Sequence, residues 1–128
     1  MIDDKYFEGF EGEREVYIYY VDKKTQEKTG LLIWEGYFEF LLSACYFKNF
    51  EPGGLLECYF YVNGFYDDSP WKIKNILLVI KELNKFDVNN VESNDGDTIN
   101  VLIKLRKEIL SFLKKANKEK EDVYIEYN

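Results

Sequence analysis

Apolar and polar positions alternate with a period of two through the first half of the chain and then shift to helical spacing. Glu15 to Val21 reads EVYIYYV, with Val16, Ile18 and Tyr20 on one face and Tyr17, Tyr19 and Val21 on the other, which predicts a strand. The polar stretch DKKTQEKTG predicts the turn after it. From Leu31 to Phe40 the parity separates Leu32, Trp34, Phe38 and Phe40 from Glu35, Tyr37 and Glu39, so a second strand is expected, broken at Gly36 and continuing to about Phe47. Glu51-Pro52-Gly53-Gly54 predicts a turn. A third strand is expected over Leu55 to Val62, with Leu56, Cys58, Phe60 and Val62 toward the core and Glu57, Tyr59 and Tyr61 away from it.

Past a turn at Asn63-Gly64 the spacing lengthens. Ser69 suits an N-cap and Pro70 a first helical position, while Asp67 and Asp68 lie where the positive end of a helix dipole favours them. Ile73, Ile76, Leu77, Ile80 and Leu83 then predict an amphipathic helix to about Phe86. After the loop DVNNVESNDGD, a second helix is expected from Asp97 or Thr98 to about Asn117. Ile99, Leu102, Leu105, Ile109, Leu113 and Ala116 form its buried stripe. DVYIEY predicts one more strand. Together these predict a single α+β domain spanning 1–128: a mainly antiparallel sheet of about four to five strands, with two helices packed on one face and the other face partly open.

Composition narrows the class. The longest apolar runs fall far short of the roughly 20 residues needed to span a bilayer, and Met-Ile-Asp-Asp is not the basic start of a signal peptide. Two cysteines without CxxC spacing fit a reducing compartment, so a cytoplasmic protein is expected, with Cys45 and Cys58 as small core residues. The chain carries 17 basic and 24 acidic residues, a net charge of −7. Residues 1–70 hold 14 acids and 6 bases, hence −8, and residues 71–128 hold 10 acids and 11 bases, hence +1. An acidic first half disfavours direct contact with nucleic-acid phosphates and suits a basic partner.

There is no histidine, which removes the usual general base, the usual triads and most zinc sites. Asp67-Asp68 with Glu57 is the best carboxylate cluster for acid–base work or a hard cation, but adjacent residues of an extended segment point apart and helix capping accounts for the pair. SNDGDT lacks EF-hand register and reads as a turn into an N-cap. No phosphate-binding glycine loop is present, so no cofactor or metal is expected.

The remaining signal is aromatic, with 11 tyrosines, 10 phenylalanines and 2 tryptophans. Tyr17, Tyr19, Tyr37, Tyr59 and Tyr61 fall on the outward strand parity together with Glu35, Glu39 and Glu57. They predict an acidic, tyrosine-rich patch for partner binding, because tyrosine supplies rigid anchors and dispersed acids attract a basic partner. A second copy of the chain covering this face is the alternative.

In size, acidity, α+β layout and surface aromatics, with WEGYFEF and FYDDSPW as its distinctive segments, the chain resembles the immunity proteins of bacterial polymorphic-toxin and contact-dependent growth-inhibition systems. The resemblance implies a cytoplasmic inhibitor rather than an enzyme, binding the C-terminal domain of a cognate toxin, often a basic nuclease. Two other readings are an acidic decoy that mimics nucleic acid and a small enzyme that works with carboxylates alone.

Overall fold

A hairpin organises the sheet. Strand β2 (Glu15–Val21) turns through Asp22, whose Oδ1 accepts from the backbone N–H of Lys24 at 2.8 Å and of Thr25 at 3.1 Å, and returns as β3 (Lys28–Trp34). The structure, a computed structural model, describes residues 1–62 and 64–128. Among these residues, β1 (Ile2–Tyr6), β4 (Trp71–Lys72) and β5 (Tyr124–Tyr127) complete a five-stranded sheet of order β1-β3-β2-β5-β4. The class is α+β, as expected. The sheet is mixed, however, because β1 runs parallel to β3 while the other three pairings are antiparallel. Strand β1 escaped the pattern because its exposed centre is Asp3-Asp4-Lys5; edge pairing along one side orders it.

Among the described residues five α-helices accompany the sheet, where two were expected. Residues 35–45, read as strand, form helix α1 (Glu35–Cys45). Phe38, Leu41, Leu42 and Cys45 recur at steps of three, four and seven and are all fully buried, a stripe only a helix can turn inward. Residues 55–62, also read as strand, form α2 (Leu55–Glu57), which runs on as a π-helical segment over Cys58–Val62 and is followed by α3 (Gly64–Asp67). Leu55 and Leu56 are buried side by side, which strand alternation forbids on a single inward face. The predicted turn at Asn63 lies outside the described residues.

The helix expected from Pro70 begins later. Trp71–Lys72 pairs with β5 instead, and Ile73 N–H donates to Val123 O at 2.9 Å, so the chain stays extended until Asn75. The Asn75 side chain then caps α4 (Ile76–Leu83) by accepting from Leu78 N–H at 3.1 Å. Ser69 is therefore no N-cap; its Oγ accepts from Tyr127 N–H at 3.0 Å. Asp67 closes α3 rather than opening α4, and Leu77, assigned to the buried stripe, is exposed while Leu78 and Val79 are buried. Helix α5 (Gly96–Lys118) agrees closely, with Leu102, Leu105, Ile109, Leu113 and Ala116 buried and Asp95 as N-cap. One apolar cluster joins Val16, Ile18 and Ile125 of the sheet to Phe38 of α1, Val79 of α4 and Leu105 of α5. Cys45 and Cys58 lie within it as free thiols. None of the described helices is long and apolar enough to cross a membrane.

Candidate functional site

The eight residues assigned to one patch separate into three groups. Tyr17 and Tyr19 do leave the sheet opposite the core, but they are not free anchors. The Tyr19 hydroxyl donates to Glu126 Oε1 at 3.0 Å, its ring stacks on Tyr124 at 5.9 Å, and Lys28 Nζ lies 4.6 Å from its centroid. Lys28 also reaches Glu126 at 3.6 Å and lies 5.7 Å from the Tyr17 ring. The sheet face closes on itself. Burial, and then Glu126, push the Tyr19 hydroxyl pKa up to about 12.

Tyr37 stands apart as well. It meets Phe10 and Trp34 edge-on, at 5.3 and 5.0 Å, beside the flat Phe10–Trp34 stack. It also lines a cavity of about 580 Å³ between β1 and α5, where Lys5, Lys104 and Lys107 face Glu108. Its surroundings are mixed in charge, since Glu8 and Glu108 line the cavity with the three lysines and Asp95 lies close enough to raise the Tyr37 hydroxyl after burial does.

Glu35, Glu39, Glu57, Tyr59 and Tyr61 remain, and folding into helices draws four of them into a new arrangement. Glu35, Glu39, Ser43 and Tyr46 recur at steps of four, four and three along α1 and its C-cap, so they share one side of the helix. Tyr59 lies against Glu39 and Tyr66 against Glu35. Arg14 approaches the Tyr66 ring to 5.7 Å, and Tyr66 meets Tyr127 edge-on at 4.7 Å. Burial, then the Glu35 charge, raise the Glu39 carboxyl pKa above its ordinary value, and burial followed by Glu39 push Tyr59 up to about 12. Glu35 Oε2 and the Tyr127 hydroxyl are buried without a hydrogen-bond partner among the described residues.

Toward Tyr46 the stripe becomes an exposed aromatic cluster. Tyr46 contacts Phe50 at 5.9 Å and Phe60 at 5.2 Å, Phe50 contacts Tyr61 at 5.6 Å, and Tyr59 contacts Phe60 at 4.8 Å. Tyr46, Phe60 and Tyr61 remain 41%, 38% and 65% exposed. With Ser43 and Glu92 they line a cavity of about 380 Å³. Glu57 faces elsewhere and accepts from Gly53 N–H at 3.1 Å.

Phe60, Tyr46, Tyr66 and Glu92 were missed by the sequence reading. Strand parity puts Phe60 in the core and Tyr46 inside a strand; the helical recurrence of Glu35, Glu39, Ser43 and Tyr46 is a signal for Tyr46 alone, and the sequence holds none for Phe60, Tyr66 or Glu92. Among the described residues no group of three or more cysteine or carboxylate side chains could hold a metal ion. The arrangement can steer a cation and seat an apolar surface. No protein-family model, curated protein or solved structure matches the chain.

Proposed function

We propose that the chain is a protein-binding inhibitor, an immunity protein that neutralises a cognate bacterial toxin domain by holding it against the stripe running from Glu35 to Tyr61. The observation that carries this reading is the exposed Tyr46–Phe60–Tyr61 cluster bordered by Glu39 and Glu92. Large rings held by one another lose little freedom on binding and fill pockets on a partner, which is why such residues dominate binding energies. The carboxylates and the net charge of −7 attract a basic surface and speed encounter. The partner in this reading is a basic toxin domain such as a nuclease, bound in the cytoplasm with no cofactor.

The test is binding kinetics at two salt concentrations against toxin domains encoded beside this chain. Tyr61→Ala and Phe60→Ala should each weaken binding by about 2 kcal/mol, the scale of a hot spot. Glu92→Lys should slow association, flatten its salt dependence and, because this carboxylate lines the cavity beside the rings, also speed dissociation. Unchanged affinity in both aromatic variants would remove this surface from the interface. Binding to a DNA-binding protein instead of the toxin would favour the decoy reading.

A further inference from the structure

We propose that the cavity lined by Ser43, Tyr46, Phe60, Tyr61 and Glu92 receives the side chain of a lysine or arginine that the partner inserts; this rests on the inhibitor reading above. Several other rings carry cations from their own chain. Lys28 lies over Tyr19 at 4.6 Å, Arg14 over Tyr66 at 5.7 Å, and Lys85 over Phe47 at 5.1 Å. Phe47 is 6.5 Å from Phe50 and so belongs to the same aromatic cluster as the cavity. Among the described residues no cation lies over Tyr46, Phe60 or Tyr61, and no basic residue lines their cavity. The cluster therefore has an internal cation at one end and, at the other, a set of ring faces that none of the chain's own described cations reaches, beside a carboxylate.

Each part suits a cationic side chain. Ring faces attract positive charge through their quadrupole, and Glu92 supplies a full negative charge. The apolar rings accept the methylene stem while the charged head meets Glu92 and Ser43 Oγ, a division of labour natural to lysine and arginine. A cavity of about 380 Å³ accepts one inserted side chain, whereas a docked helix, about 10 Å across, needs a long groove. An aliphatic side chain would gain nothing from the exposed Glu92 carboxylate, whereas a cationic one would.

The experiment titrates the full chain, with aromatic side chains labelled, against N-acetyl-arginine amide and N-acetyl-lysine amide. The neutral analogues N-acetyl-citrulline amide and N-acetyl-norleucine amide serve as controls. The cationic probes should shift the Tyr46, Phe60 and Tyr61 ring resonances, with the neutral probes at least about threefold weaker, as expected for a modest cation–ring attraction. Glu92→Gln should reduce cationic affinity by a similar factor without changing the melting temperature. Equal responses to arginine and citrulline, or shifts confined to other residues, would overturn the proposal. A toxin bound equally well by parent and Glu92→Gln overturns the inserted cation and leaves the inhibitor reading standing. No toxin bound by the parent, with the arginine probe still seated, overturns that reading alone.

Discussion

Glu82 on α4 caps α2 from 27 positions away: its Oε1 accepts the Leu55 N–H at 2.7 Å while the side chain is only 1% exposed. The approach is so close that a Cβ on Gly54 would lie 2.3 Å from the same oxygen. A helix N-terminus favours a carboxylate, and this one supplies an acceptor that the short α2 lacks in its own sequence. Since α2 continues directly into Tyr59, Phe60 and Tyr61, a buried acid on one helix fixes the exposed rings carried by another.

Removing that acceptor should loosen the stripe. Glu82→Ala is expected to cost about 1–3 kcal/mol, because Leu55 N–H is left buried and unpaired. Glu82→Gln keeps an acceptor and should cost clearly less. Urea unfolding of the three proteins measures the order, and an alanine variant as stable as the glutamine variant would contradict it.

The same residue sets a pH dependence. Burial raises the Glu82 carboxyl above the ordinary 4.5, so the folded protein binds this proton more tightly than the unfolded chain. Its contribution to stability therefore grows as pH falls from the folded value toward 4.5 and is lost again as pH rises. Glu82→Gln lacks this titration. The stability difference between parent and Glu82→Gln should shift in favour of the parent as pH falls from 7 toward 4.5; a difference that stays constant over that whole range would show no raised carboxyl at this position.

Tyr19→Phe addresses the closed sheet face. It deletes the hydrogen bond to Glu126 while leaving Lys28 beside the carboxylate, and should cost about 1–2 kcal/mol in stability. If the protein is the inhibitor proposed above, affinity for its partner should not change. A loss of affinity without a loss of stability would return Tyr19 to the interface.

Gly30→Ala should be among the most damaging single changes in the sheet. A Cβ there would sit 1.9 Å from the Ile18 carbonyl oxygen, a backbone atom that cannot move without breaking the β2–β3 ladder. A loss of about 4 kcal/mol or more belongs to this kind of overpacking, and thermal unfolding that matches the parent would refute it.

Both thiols should be slow to react in the folded protein. Burial pushes Cys45 and Cys58 up to about 12, and neither has more than 2% exposure. A disulfide reagent at pH 8 should label the native chain far more slowly than the urea-unfolded chain. Prompt native labelling would identify an accessible thiolate.

The elements that sequence pattern located are those with one dominant period. EVYIYYV admits only a strand, and the stripe from Leu102 to Ala116 admits only a helix. Leu31 to Phe47 satisfied both periods at once, since Trp34, Phe38 and Phe40 alternate while Phe38, Leu41, Leu42 and Cys45 recur as on a helix. Aromatic and β-type residues tipped the reading toward strand, and packing decided otherwise. The candidate site inherited that error. Tyr59, Tyr61, Glu35 and Glu39 were singled out from the sequence, but the wrong element type joined them to Tyr17 and Tyr19 and hid Phe60. Glu82 was invisible because its role depends on a backbone amide brought to it by tertiary packing.

The placement of β5 between β2 and β4 has a consequence for how the protein assembles in time. The turn at Asp22 lets β2 and β3 meet as soon as both exist, and hairpins close in about 1–10 μs. The opposite edge of β2 waits for a segment whose contacts, such as Tyr19 with Glu126, span 107 positions. Long-range pairing of this kind is slow. Until it happens, Val16 to Tyr19 form a bare strand edge, which any neighbouring chain can extend. The interval between hairpin and closure is thus a window for aggregation, and faster β5 insertion would shorten it.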